Sequence, residues 1–292
     1  MSWATNRRSP SRSIIADRGP GLNHRMNGNE NHTAMNRKGT PMAETKPGEP
    51  IHGLPLGRGV RVLAQDPNGL VALEKPVNVL SHPNARTDRN RALLDADYSL
   101  KDESYTWEAA GEKRCFRLLN RLDSATSGVV LGTWNPDVAA AVRREFATGR
   151  VGKTYLALVF GAPRPPRQRW TDLLEVERSG SHLRTRGGGR QKAEATVHLR
   201  ETVAGPPRLS LIELTPKTGR THQLRVQCAR RKLPIVGDKT YGDFRGNREF
   251  SRRTGEKRLF LHSAATALSY LIGGRKFEFR AESTLPPGFR IG

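Results

Sequence analysis

The chain has 292 residues, 50 of them Lys or Arg and 28 Asp or Glu, for a formal net charge of +22. That length can bury a substantial core, and the charge points to a polyanionic partner through steering and phosphate neutralisation. No apolar run approaches the ~20 residues of a membrane span, and Cys115 and Cys228 form neither a CxxC pair nor a disulfide framework, so membrane and disulfide-scaffold classes are set aside and a cytoplasmic setting is expected.

Residues 1–50 are rich in Asn, Gly, Pro, Arg and Ser and read as a disordered basic tail. The Arg/Ser-rich residues 1–20 leave an organelle-targeting peptide open as the other reading. The tail holds 8 Lys or Arg against 4 Asp or Glu, so the basic excess belongs mainly to residues 51–292.

Residues 60–64 and 70–73 read as strands around an Asp66-Pro67-Asn68-Gly69 turn. The polar stretch 83–113 reads as a loop or insertion with a short helix candidate at 91–94. A short strand is expected at 129–131. Asn135-Pro136 then gives an N-cap followed by Pro at the first helical position, and the helix runs to about Ala147. Residues 153–160 form the clearest strand. A Pro/Arg loop at 164–169 and a flexible Gly187-Gly188-Gly189 tip follow. Strands are expected at 193–200 and 209–214, a helix at 221–231, and strands at 263–271 and 276–280. Short strands outnumber helices without sustained strand–helix alternation, which implies an α+β fold with a mixed, mainly antiparallel sheet.

Three groups carry candidate chemistry. Asp123 lies in Arg121-Leu122-Asp123-Ser124-Ala125-Thr126-Ser127-Gly128, a carboxylate beside a basic residue and a Ser/Thr/Gly turn. It reads as a nucleophile or acid/base group, or as a plain salt bridge with Arg121 or an Asx-type turn. The second group is Thr218-Gly219-Arg220-Thr221-His222-Gln223-Leu224-Arg225. Helix-start amides there offer a phosphate site, and His222 and Arg225 at i,i+3 share a face. Arg225 is suited to pairing with a carboxylate; the other reading is a capped basic surface helix. Tyr155 shares a strand face with Lys153 and Ala157, as an aromatic platform under a base or as a core or rim tyrosine. The histidines are scattered, with no metal-ligand spacing, no nucleotide-binding glycine motif and no zinc-deaminase signature, so no cofactor is expected.

Together these segments resemble the RluA-like family of RNA pseudouridine synthases. The central match is the run from Arg121 to Leu131. Glu74-Lys75-Pro76 with Ser81-His82-Pro83, Lys153-Thr154-Tyr155-Leu156-Ala157, the run from Thr218 to Arg225, and Gly237-Asp238 with Tyr241-Gly242 support it, all in the family's order. The resemblance spans about residues 58–280 and makes 51–292 a catalytic domain. It implies a sheet crossed by a cleft that receives a flipped-out uridine. Asp123 matches the catalytic aspartate, Tyr155 the tyrosine that stacks on the base, and Arg225 the residue that pairs with the aspartate. Arg121, Lys75, Thr126, Lys153, Arg220, His222 and Leu224 fall in the matched motifs as substrate-binding candidates, Leu224 with no separate role.

The implied reaction breaks the N1–C1′ bond, turns the uracil and joins C5 to C1′. Asp123 attacks C1′, assists at the sugar through a glycal-type intermediate, or attacks C6; the motif is compatible with each. The chain departs from the family at Asn120 and Gln227, where His is common, at Ser124, where a basic residue is common, and at Asn78, where Gly is usual. Residues 1–50 are too polar for the S4-type RNA-binding domain that many relatives carry. The expected substrate is structured RNA, ribosomal RNA ahead of transfer RNA, and the expected state is a monomer without an obligatory protein partner. A non-catalytic RNA-binding protein on the same scaffold, acting in RNA folding or ribosome assembly, is the competing reading. A nucleic-acid hydrolase would need a metal cluster or acid/base pair that the sequence lacks.

Overall fold

The computed structural model describes residues 53–179 and 182–290. The expected tail over 1–50 lies outside them.

The turn at 66–69 forms because Asp66 Oδ1 accepts from the amides of Asn68 and Leu70 at 3.0 and 2.9 Å. It joins β1 (Arg61–Gln65) to β2 (Leu70–Lys75). The stretch 83–113 is not a loop. A 3-10 turn at Arg86–Arg91 leads to β3 (Asp97–Ser99), β4 (Ser104–Ala109) and β5 (Glu112–Leu118). The helix expected at 91–94 is absent. Ala92 and Leu94 instead form β-bridges to Leu80 and Leu56, and Leu93, Leu94 and Tyr105 are fully buried. Too few residues alternate in any one of these strands for their period to show.

β6 (Ser127–Thr133) precedes α1 (Pro136–Ala147). The helix starts as the sequence predicts: Asn135 Oδ1 accepts from the Asp137 amide at 2.9 Å, with Pro136 in the first turn. Five strands follow, β7 (Gly152–Phe160), β8 (Arg167–Ser179), β9 (His182–Gly187), β10 (Gln191–Val203) and β11 (Leu209–Pro216). The Pro/Arg loop therefore ends before Arg167. The glycine tip is packed in part, with Gly188 itself exposed. Gly188 donates its amide to the Leu173 carbonyl, and a Cβ on Gly189 would fall 2.2 Å from the Leu174 oxygen.

α2 (Gln223–Arg230) and α3 (Phe244–Thr254) come before the closing hairpin, β12 (Leu261–Ile272) and β13 (Arg275–Glu282). α3 has no counterpart in the sequence reading, because Phe250 is its one buried residue. Only its caps announce it: Asp243 accepts from the Gly246 amide, and Gly255 closes it at φ 76°.

The strands form one sheet in the order β3-β4-β5-β6-β12-β7-β11-β10-β8-β9, with β2 also on β6, β1 on β2 and β13 on β12. All pairs are antiparallel except β6 and β12, which meet in parallel at His262↔Ser127 and Ser263↔Gly128. This is the α+β, mainly antiparallel mixed sheet that was expected. At the parallel junction a Cβ on Gly128 would lie 2.1 Å from the Ser263 carbonyl oxygen, and its φ is 114°. Only glycine allows that approach.

β2 and β6 are buried on both faces, as strict alternation shows. Leu70, Ala72, Val129 and Leu131 pack with Val138 and Val142 of α1; Val71, Leu73 and Val130 pack with Tyr105 and Phe116. A further core, with Ile212, Leu214, Leu224 and Phe260, lies between β7, β11, α2 and the segment before β12.

Candidate active site

Asp123 sits in the connection between β5 and β6, and buried polar atoms hold that connection in shape. Ser81 Oγ donates to the Leu122 carbonyl at 2.8 Å and accepts from the Leu122 amide at 2.9 Å. Tyr105 donates its hydroxyl to the Ser81 carbonyl. Asn78, at φ 65°, donates its amide to Ser124 O at 2.8 Å, so Asn does take the left-handed geometry usual for glycine in this turn.

Lys75 lies under the loop rather than in the cleft. Its ammonium donates to the carbonyls of Pro76, Val79 and Ser124 at 2.9, 2.6 and 2.9 Å and is fully buried. All three of its protons are spent, so its place among the substrate-binding candidates is corrected to that of a staple. Burial pulls its pKa down to about 7, against the nearby Asp123 charge and with that of Arg258. Asn120, the departure before Arg121, accepts from the Leu131 amide at 2.7 Å and so ties the same loop to β6.

The cleft is lined by Asp123, Thr126, Lys153, Tyr155, His222 and Arg225, with Arg121, Arg220 and Leu224 also on its wall. Nine of the ten sequence-predicted site residues thus converge, from segments about 100 residues apart. Asp123 does not pair with Arg121, whose Nη1 donates to Glu103 at 3.2 Å. Its partner is Arg225, Nη1 to Oδ2 at 3.1 Å.

Arg225 is held by a second carboxylate that the sequence reading quoted without a role. Nε and Nη2 of Arg225 donate to Oδ2 and Oδ1 of Asp238, both at 2.8 Å. Asp238 is 1% exposed, Arg225 8% and Asp123 27%. Burial opposes both charges of the inner pair. The Asp238 bonds and charge, with those of Asp123, outweigh it and raise the arginine pKa; the Arg225 bonds and charge, with the Tyr241 and Thr240 amides, lower that of Asp238. The arginine is thus fixed on its buried side and presents one nitrogen to Asp123.

Tyr155 is partly buried, with its ring packed against both adjoining cores. Burial pushes its hydroxyl up to about 12, Ser263 opposing through a hydrogen bond and the Asp123 charge adding. It enters the cleft as a neutral phenol. Lys153 reaches the Thr218 carbonyl at 3.4 Å, its pKa lowered by burial.

His222 does not share a helix face with Arg225, because α2 begins at Gln223 and His222 precedes it in the left-handed region at φ 52°. Its Nε2 still lies 3.8 Å from Asp123 Oδ2. The phosphate cradle expected at the helix start is partly used: Gln223 Oε1 accepts from the Arg220 amide at 3.1 Å and from Thr218 Oγ1 at 2.7 Å. Gln227 donates to Asp172 at 2.9 Å and anchors α2 to β8.

A family model described as RNA pseudouridylate synthase matches residues 69–230. The chain belongs to that family. It is therefore an RNA pseudouridine synthase, an isomerase acting on RNA. Among similar curated proteins, "tRNA pseudouridine synthase C" of Yersinia pestis is 28% identical, over 76% of this chain and 86% of its own length. The protein of that name from Pasteurella multocida is 32% identical, over 73% and 87%. An uncharacterised RNA pseudouridine synthase of Zymomonas mobilis is 33% identical, over 66% and 84%. In fold, the chain is similar to human RNA pseudouridylate synthase domain containing 1, with TM-score 0.56 and 23% identity over 80% of this chain and 86% of that one. The similarly named domain containing 4 gives TM-score 0.55, also at 23% identity, over 78% and 89%.

Proposed function

We propose that this synthase converts uridines of structured RNA to pseudouridine, transfer RNA foremost, with Asp123 as the carboxylate that acts on the nucleoside. The observation that carries the assignment of Asp123 is its pairing with Arg225 across 102 residues of sequence, in a cleft that also contains Tyr155. The guanidinium orients one carboxylate oxygen and leaves the other for the sugar or base. Tyr155 stacks on the uracil, Leu224 forms apolar wall, and Thr126, Lys153, Arg121 and Arg220 line the approach. The reaction moves the uracil from N1 to C5 linkage; the C5 proton leaves and N1 gains one, so it balances without a cofactor.

Transfer RNA is placed first because similar proteins carry that substrate in their names. The preference for ribosomal RNA read from the sequence finds no support among them. The test is site-resolved pseudouridine mapping of total RNA from cells making wild-type protein, Asp123→Asn protein, or none. Transfer RNA sites present only with the wild type are expected. Sites that persist with Asp123→Asn would overturn the role of Asp123, and sites confined to ribosomal RNA would overturn the substrate.

A further inference from the structure

Tyr241 lies outside the cleft, yet it holds a chain of hydrogen bonds that ends inside it. Its hydroxyl oxygen is 2.7 Å from the backbone nitrogen of Thr185 on β9 and 2.9 Å from Nδ1 of His222. An amide N–H can only donate, so it takes a lone pair of the tyrosine oxygen. The single hydroxyl proton is then free for His222 Nδ1. A nitrogen that accepts carries no proton, and a neutral imidazole must place its proton on the other one. That nitrogen, Nε2, faces the cleft beside Asp123. At 3.8 Å the pair is too long for a hydrogen bond, so a proton held on Nε2 is unspent.

The surroundings brace this arrangement. Thr185 Oγ1 donates to the Thr221 carbonyl at 2.9 Å, which ties β9 to the residue before His222. The Tyr241 ring meets the His222 ring edge-on at 5.7 Å and lies 5.2 Å from the Arg225 guanidinium carbon. The Tyr241 amide donates to Asp238, the carboxylate that clamps Arg225. His222 holds a left-handed backbone that a non-glycine residue keeps only when its surroundings impose it. Burial lowers its pKa and the Arg225 charge adds to this, against Asp123 and Asp238, which agrees with a neutral ring.

We infer that Tyr241 is a positioning residue that fixes His222 in the Nε2–H tautomer, so that His222 offers a hydrogen-bond donor to a carbonyl oxygen of the uracil in the cleft. The inference rests on the reading that the cleft receives a uridine. A base filling the cleft excludes water, and an unspent N–H there must find an acceptor or stay unsatisfied at a cost to binding. A carbonyl meets that need; an exocyclic amino group in the same place does not. The relay also makes the register of the β8–β9 hairpin a condition for correct presentation of His222.

The relay is testable on the full chain without RNA, by nitrogen-15 NMR of the His222 ring. The wild type is expected to show Nδ1 as an unprotonated acceptor and Nε2 as the protonated nitrogen. In Tyr241→Phe, which keeps the ring on Arg225, the two tautomers are expected to mix. Protonation of Nδ1 in the wild type, or an unchanged tautomer in Tyr241→Phe, would overturn the relay. For the donor, single-turnover rates on transfer RNA are compared between His222→Gln, which retains an N–H donor, and His222→Leu, which does not. Both carry the same left-handed backbone. The Gln variant is expected to turn over at least ~10-fold faster than the Leu variant, the factor expected for about 1.4 kcal/mol of hydrogen bonding. Equal rates would overturn the donor role. A correct tautomer in a wild type that modifies no RNA would instead sink the functional reading and leave the relay intact.

Discussion

Asp123 and Asp238 share one guanidinium: the first takes a single nitrogen of Arg225 at 3.1 Å, the second takes the other two at 2.8 Å each. The two carboxylates have different tasks. Asp238 is sealed and sets the arginine; Asp123 is open to the cleft. Asp238→Asn leaves a buried guanidinium half-paired and is expected to cost about 3–5 kcal/mol of stability. Asp123→Asn is expected to change stability by under about 1 kcal/mol while turnover falls to background and RNA affinity stays near wild type. Denaturant melts of both variants, beside filter-binding and turnover assays of Asp123→Asn, check the contrast. Equal destabilisation by the two would contradict it.

Lys75→Met should act through the loop and not through substrate contact. Three part-buried carbonyls lose their donor, and an unsatisfied polar group shielded from water costs about 1–3 kcal/mol. A stability loss of about 2 kcal/mol is expected, with a lower turnover rate and near-normal RNA affinity. A large rise in the RNA dissociation constant with unchanged stability would restore Lys75 to the binding surface.

Gly128→Ala tests the parallel junction. The added methyl would fall 2.1 Å from the Ser263 oxygen, on a backbone at φ 114° that L residues resist. The expected loss is about 3 kcal/mol or more, with turnover falling alongside because Asp123 precedes this strand. Gly111→Ala supplies the comparison: its φ is 76° but its Cβ would meet nothing within 4 Å. If the two variants lose the same stability, backbone strain alone explains both and the close approach is immaterial.

His262 gives the fold an acid-sensitive term. It is fully buried against Ser127. Burial holds its pKa down to about 4, the Ser283 carbonyl and Glu74 opposing and Arg258 adding. The unfolded chain takes up this proton near pH 6.5. Between about pH 4 and 6.5 the unfolded form therefore binds more protons than the folded form, so stability rises with pH there and is lost as pH falls. The loss reaches about 3 kcal/mol at the lower end. Urea unfolding across this window, for wild type and His262→Gln, should show the slope in the first and a flatter line in the second. Parallel lines would contradict the assignment.

Much of this was legible in the chain. Asn135-Pro136 marked a helix start, residues 153–160 a strand, and the motifs around Asp123 and Arg225 met in the cleft. What escaped notice did so for physical reasons. β3, β4 and β5 are too short or too polar on their outer side to show a period. α3 buries one residue, so its apolar signal is nearly nil. Asp238 lies 13 residues beyond Arg225, and no local pattern tells a buried clamp from a surface acid. Arg121 drew attention by standing two residues from Asp123, but Glu103 claims it. The left-handed turn at His222 replaced the helix face that an i,i+3 spacing implied.

The parallel join of β6 to β12 rests on two residue pairs, and it divides the site's contributors. Asp123 arrives from the β6 side. Tyr155, His222 and Arg225 belong to elements reached across β12. Neither portion of the sheet owns a working centre; competence is a property of the seam. Loosening those two pairs would part the acid from its guanidinium while nearly every other ladder stayed intact. Such a molecule would pass as native by circular dichroism and be inert, which makes turnover a more sensitive gauge of a sound preparation than any spectrum of its backbone.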